Sequence, residues 1–330
     1  MRAMAITFFC GALLLTGCHD KKNDPGPQGP NEAAVFNFSP LEKAKINFIF
    51  SLGWIQPAGH TIPTDHIYFY FTHQSTDPVL PVYAPGGGVI NKILLVPVLQ
   101  VKECKMWVKM NDNFMYYLDH IVPHDSLKEG STIHAGQDIG TTGLGTSIDL
   151  GVIDYNVTLN FANPKRYGDE MLHCGKPLTY FADSLKAGMY SKVDREGADK
   201  DGKIDVDVTD RLVGNWFLDG STFYTDGPDG WDKELSFAFD IQHPARVLVS
   251  IGGTLGLTGK WGIPYDAPLP SDVSVANGKV AYKLLYTESL AQAGLMIVQL
   301  LDSNHIKVEV FPSSQNADAE FDGNALVYAR

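Results

Sequence analysis

The side chains with chemistry to offer are ten histidines, four cysteines and one dense acidic run. Imidazole is the commonest metal ligand and the usual proton carrier near neutral pH. Spacing gives half of the histidines no role: His60, His73, His124, His134 and His173 lack ligand-like intervals and read as surface or loop residues. The acidic run, residues 191–210, carries seven carboxylates among few apolar residues. Inside it Asp199-Lys200-Asp201-Gly202-Lys203-Ile204 imitates the middle of a calcium loop, and Asp205 extends the series. A calcium loop in that register needs an acidic first residue and a bidentate Glu at the twelfth. Those places hold Gly197 and Val208. The run therefore reads as a solvated acidic link between domains, with calcium at Asp199, Asp201 and Asp205 the sharper alternative.

These residues need elements to position them, and the elements are strands. Short alternating apolar runs bounded by Gly, Pro, Asn and Asp predict strands at 44–52, 67–72, 82–90, 93–101, 115–118 and 148–153. More follow at 236–241, 246–251, 280–286, 294–301, 306–311 and 325–328. One helix is expected over 178–189, opened by Pro177 at a position that suits a first turn. The fold class is mainly β. At 330 residues the chain is long enough for two cores. A net charge of −12 without a basic run argues against nucleic acid as a partner.

The first residues set the expected compartment. Arg2, an apolar run over 3–15 and Leu15-Thr16-Gly17-Cys18 form an export signal too short to span a bilayer, which takes about 20 residues. Leu-Thr-Gly-Cys resembles the lipobox of bacterial lipoproteins. The resemblance implies removal of residues 1–17, diacylation of Cys18 and attachment to a membrane. Residues 18–34, rich in Pro and Gly, then form a tether. His19, rather than Asp, follows the cysteine; in a Gram-negative host this implies the outer membrane. An oxidising envelope compartment favours pairing of Cys104 with Cys174, two buried free thiols being the other possibility.

Residues 65–154 carry a second resemblance, in five pieces in order. They are Asp65-His66-Ile67-Tyr68-Phe69-Tyr70, the hairpin from Pro81 to Ile90, and Met115-Tyr116-Tyr117-Leu118-Asp119-His120-Ile121. The turn from Leu127 to Gly140 and Ser147-Ile148-Asp149-Leu150-Gly151-Val152 complete the set. Together they resemble the lysostaphin-type zinc endopeptidases, a duplicated-hybrid-motif (barrel-sandwich hybrid) fold that cleaves peptidoglycan cross-links, here over residues 35–190. Turn glycines such as Gly86, Gly130, Gly136 and Gly140 would be kept for backbone reasons alone.

The resemblance places the family's first zinc ligand at His66, its Asp ligand at Tyr70 and its last His ligand at Gly151. Its two catalytic histidines fall at His120 and Asp149. A catalytic zinc site takes three protein ligands and keeps one position open for water; two of those three are replaced here. His66, His120 and Asp149 would still be a legitimate set for zinc or iron if they converged. The expectation is a cell-envelope lipoprotein that holds no metal and binds cell-wall material or an envelope protein. A residual or repurposed metallohydrolase is the alternative.

Residues 211–330 form the second domain. Leu212-Val213-Gly214-Asn215-Trp216-Phe217 is similar to the G-x-W opening strand of lipocalin-like barrels. That likeness implies a Trp at the barrel floor and, from the last strand, Arg330 beside it. A calycin-like barrel carrying a small apolar ligand and a plain β-sandwich with a core Trp both remain open.

Overall fold

The computed structural model describes residues 33–72, 79–98, 101–221, 228–314 and 318–330. The expectations for residues 1–17, for Cys18, for nearly all of the tether and for His73 fall outside the described residues.

The chain builds two β units. The first contains β1 (Ile46–Phe50), β2 (His66–Phe71), β3 (Pro81–Tyr83), β4 (Gly88–Val98) and β5 (Val101–Asn111). It continues with β6 (Phe114–Pro123), β7 (Thr132–Ile133), β8 (Asp138–Thr142) and β9 (Ser147–Asp154). Pairing is antiparallel in the order β1-β2-β9-β6-β5-β4-β7, with β8 joining β3 to β6. Alternate residues of these strands, including Ile49, Phe69, Tyr116, Leu118, Ile148 and Leu150, fill one core that Phe36 joins from the preceding segment. Gly140 shows why a turn glycine is needed here. It sits at φ +151°, and a Cβ would lie 2.1 Å from the Val122 carbonyl oxygen. Only glycine lets β8 close on β6.

Three local expectations change. The apolar run 82–90 is two strands, because Ala84 to Gly87 form the corner between β3 and β4. Strand β5 has no counterpart among the expected strands, since lysines and Glu103 interrupt its apolar pattern, and the run over 93–101 belongs mostly to β4. The expected helix over 178–189 is broken: a 3-10 turn (Pro177–Tyr180) precedes a helix (Asp183–Tyr190). Buried Phe181 makes the break by bridging Phe36.

Cys104 and Cys174 are buried free thiols, not a disulfide. Cys104 pairs with Ile121, whereas Cys174 bridges Ile153, which faces Met115. Six residues along β6 separate those rows, roughly 20 Å at about 3.3 Å each. A disulfide spans Cα atoms only about 4–7 Å apart.

The second unit is a closed eight-stranded antiparallel barrel, β10 (Gly214–Leu218), β11 (Glu234–Phe239), β12 (Val247–Ile251) and β13 (Gly259–Gly262), then β14 (Lys279–Leu285), β15 (Gln292–Leu300), β16 (His305–Pro312) and β17 (Leu326–Ala329). Trp216, Phe237, Tyr282, Met296 and Tyr328, all fully buried, belong to one cluster that fills its interior. Trp216 Nε1 donates to the Leu212 carbonyl at 2.8 Å. The Arg330 guanidinium lies 4.2 Å from the Trp216 ring centroid and donates to the carbonyls of Val208, Arg211 and Val213. The barrel and its Trp–Arg seal thus form as the sequence implied, while the filled interior gives a ligand carrier no support.

Residues 191–210 are more than a solvated link. Val193 and Ile204 enter the first core, and Val206 packs between Ile55 and Ala238 of β11. The carboxylates of the calcium-like segment face different partners. Asp199 caps Asp201 N and meets Arg195, Asp201 accepts from the Tyr190 hydroxyl, and Asp205 accepts from Asn160 N.

Candidate functional site

Register brings the marked positions together. His66 pairs with Gly151 and Tyr68 with Asp149 between β2 and β9, while Tyr117 pairs with Gly151 and Asp119 with Asp149 between β6 and β9. His120 needs one more device. It adopts φ +59°, where the β5–β6 register shifts, and Asp119 Oδ1 accepts its amide hydrogen at 2.7 Å. A bulge of this kind re-aims a side chain across the sheet.

The outcome is a chain of alternating carboxylates and imidazoles. Asp65 Oδ1 lies 2.9 Å from His66 Nδ1, and His66 Nε2 lies 3.5 Å from Asp149 Oδ2. His120 Nε2 is also 3.5 Å from Asp149 Oδ2, and His120 Nδ1 is 3.1 Å from Glu103 Oε2. Glu103 is fixed in turn by the Leu144 amide at 2.8 Å. His66, His120 and Asp149 therefore meet, as a linear chain. Among the described residues no group of three or more His, Cys, Asp or Glu is placed to hold a metal ion.

Burial sets the electrostatics. It pushes the Asp149 carboxyl up to about 6, against the pull of His66 and His120. Burial alone would do the same to Asp65, but the His66 hydrogen bond and charge win and hold it below the usual range. For His66 and His120 burial opposes the charged form, yet the carboxylates around them prevail and raise both. His60 has too little compensation: burial first, then His66, push it down to about 3.

The two positions that the resemblance assigned to further ligands, 70 and 151, are packed by aromatic rings. A Cβ on Gly151 would lie 2.0 Å from Cζ of the buried Tyr117 ring, whose hydroxyl stands 3.2 Å from His66 Nδ1. The phenol occupies the room a side chain at 151 would need. The Tyr70 ring stacks on Phe48 at 4.6 Å and 18°. Phe48, Tyr70, Phe50, Trp54 and His60 form a continuous series of ring contacts that ends on His66. The family's zinc set does not fit these residues, since position 151 has no donor and position 70 carries a stacked phenol.

Over the chain lies a cavity of about 430 Å³ between the two units. The first unit contributes His60, Asp65, His66, Lys105 and His120, and the segment before the barrel's second strand contributes Trp231, followed by Glu234 of β11. Lys105 is held by Glu170 at 2.6 Å and lies 3.9 Å from the Tyr117 ring centroid. Sequence reasoning missed His60, Lys105, Glu170 and Trp231. His60, expected on the surface, is held there by its paired backbone bonds to Gln56, a loop pairing with no periodic signal. Trp231 belongs to the other unit, and only the docking of the two units brings it near His60, with ring centroids 6.5 Å apart.

No family model matches the chain, and no curated protein does. Solved structures do. A zinc-containing peptidase from Vibrio cholerae aligns at 19% identity over 37% of each chain, with TM-score 0.27. Csd3 from Helicobacter pylori aligns at 19% identity over 37% of this chain and 33% of that one, TM-score 0.28. The catalytic domain of the M23 protein EnpA from Enterococcus faecalis aligns at 15% identity over 45% of this chain and 97% of its own, TM-score 0.26. The chain spans about a third of the length of the first two. At such scores the likeness carries no inference about activity.

Proposed function

We propose that this protein is a lipid-anchored cell-envelope binder that holds cell-wall material, without cutting it, in the cavity between its two units. The observation that carries the reading is the Tyr117 ring standing where a side chain at position 151 would be. A metal-activated water needs a fixed ligand set and an open coordination position, and that room is taken by a buried phenol. What remains is a cavity with aromatic and apolar walls and a few converging polar groups, the usual form of a binding site. Its position between two units suits an elongated ligand lying across both. Attachment through Cys18 would keep the cavity near the wall, and a Pro- and Gly-rich tether would set its reach.

Sedimentation with purified peptidoglycan tests the reading. The mature protein should pellet with the wall, and Trp231→Ala should reduce the bound fraction several-fold while leaving the fold intact by circular dichroism. If Trp231→Ala and the parent sediment equally, the cavity is not the binding site.

A further inference from the structure

We infer that the cavity takes a protonated primary amine on a short alkyl stem, as at the end of a lysine or other diamino-acid side chain. This deepens the binding reading above and rests on it.

Charge is the first ground. Asp65, Asp119, Glu170 and Glu234 line the cavity, and Lys105 is the one lysine or arginine among the lining residues. That lysine is already engaged by Glu170. Even with His66 and His120 charged, as the neighbouring carboxylates favour, the four carboxylates exceed the three cations, so an anionic group would be repelled and a cation attracted.

Unmet hydrogen-bonding capacity is the second, independent ground. His66 lines the cavity, is only 9% exposed, and its Nε2 has no hydrogen-bond partner, while Nδ1 is taken by Asp65. Asp149 is 2% exposed and touches both His66 and His120, and its Oδ1 is likewise without a partner. Asp149 Oδ1 is a buried acceptor without a donor, and His66 Nε2 is a second one in the neutral imidazole, whose Nδ1–H goes to Asp65; such groups are costly and mark a missing partner. An alkylammonium brings three N–H donors and no acceptor, which suits a cluster of acceptors. A metal ion would need three donors arranged about one point, and the described residues offer no such group.

Shape is the third. Ile62, Pro63, Leu94, Val96 and Trp231 give the cavity apolar walls, against which methylene groups lie well while the charged head reaches the acidic end. The ring of Trp231 can also face a cation.

Calorimetry on the mature protein decides it, with Nα-acetyl-lysine methylamide as the probe and its Nε-acetylated form as the control. The free amine should bind saturably, and Nε-acetylation should weaken it at least roughly tenfold, as loss of a charge-assisted hydrogen bond does. Asp119→Asn, at the partly exposed rim, should weaken the free amine several-fold without disturbing the core. Equal binding of both probes, or no binding of the free amine at tens of millimolar, would overturn the inference. Stoichiometric zinc uptake that blocks the amine would overturn it too, by assigning the site to a metal. Sedimentation with chemically N-acetylated peptidoglycan separates the two levels. If acetylated wall still pellets the protein, the amine inference fails and wall binding stands. If neither wall form pellets it while the probe amine binds, the amine site stands and the wall reading falls.

Discussion

In the C-terminal barrel, residues marked by their motif end as a physical pair: Trp216 at the floor and Arg330 laid across it, donating to three carbonyls. In the N-terminal sheet the marked positions also come together, at His66, Asp149, Gly151 and His120. There, however, the positions the resemblance assigned to ligands carry other groups, with the Tyr117 ring beside Gly151 and Tyr70 stacked on Phe48. The contrast separates two kinds of constraint. A barrel must seal its end and satisfy the chain entering it, so its Trp and Arg are needed for folding. A ligand set on a sheet face is not needed for folding, so it can be lost wherever the replacement fills the space and satisfies the polar groups left behind.

Breaking the barrel seal should have the largest effect. Trp216→Ala removes a fully buried indole and should cost about 3–5 kcal/mol in chemical denaturation. A loss below about 1 kcal/mol would mean the barrel is sealed by something else. The sheet offers the sharper comparison. Gly151→Ala should cost roughly 1–3 kcal/mol by overpacking against Tyr117. In a Tyr117→Ala background the same change should cost close to nothing, because the ring it strikes is gone. Additive costs would show that Tyr117 does not occupy that space.

A third effect is pH-dependent. His60 is neutral in the fold down to about 3, pushed down by burial and His66. Once unfolded, it takes up a proton below about 6.5. Stability contributed by this group is therefore lost as pH falls from about 6.5 towards 3. His66 and His120 are raised instead, so their contribution is present at acid pH and lost as pH rises. Comparing the parent with His60→Gln isolates the first term: the variant should lose less stability on acidification, and parallel curves would contradict the assignment. The smallest effect belongs to the acidic segment. Asp199→Asn with Asp201→Asn should cost no more than about 1 kcal/mol, since Asp199 is exposed and an asparagine at position 201 keeps an oxygen to accept from Tyr190, and added calcium should shift neither melting curve. A clear calcium-dependent rise in the parent alone would restore the calcium reading.

The mainly β fold was legible, because turn glycines and period-two patterns are local signals; the Trp216–Arg330 contact and the approach of His66, His120 and Asp149 were open expectations that came only with the resemblances. The sequence did not disclose Asp65 and Glu103 as partners of the two imidazoles. Asp65 is merely the residue before His66, and Glu103 lies in a strand whose polar residues hide its periodicity. Nor did it disclose the cavity, which exists only where the barrel docks on the sheet and brings Trp231 and Glu234 over His66. Cysteine counting misled because pairing depends on separation in space, and β6 holds Cys104 and Cys174 in distant rows. The acidic run misled for a related reason: Asp201, Asp205 and Asp207 accept hydrogen bonds from the protein around them while Val193 and Ile204 anchor the segment in the first core.

The central claim is the proposed binding without hydrolysis in the cavity over His66 and His120. One experiment meets it directly: purified mature protein, supplied with zinc, is incubated with purified peptidoglycan while released fragments and bound metal are measured together. The account predicts substoichiometric zinc, no fragments above the no-protein control, and protein retained on the wall. Stoichiometric zinc with fragment release that a chelator abolishes would contradict it.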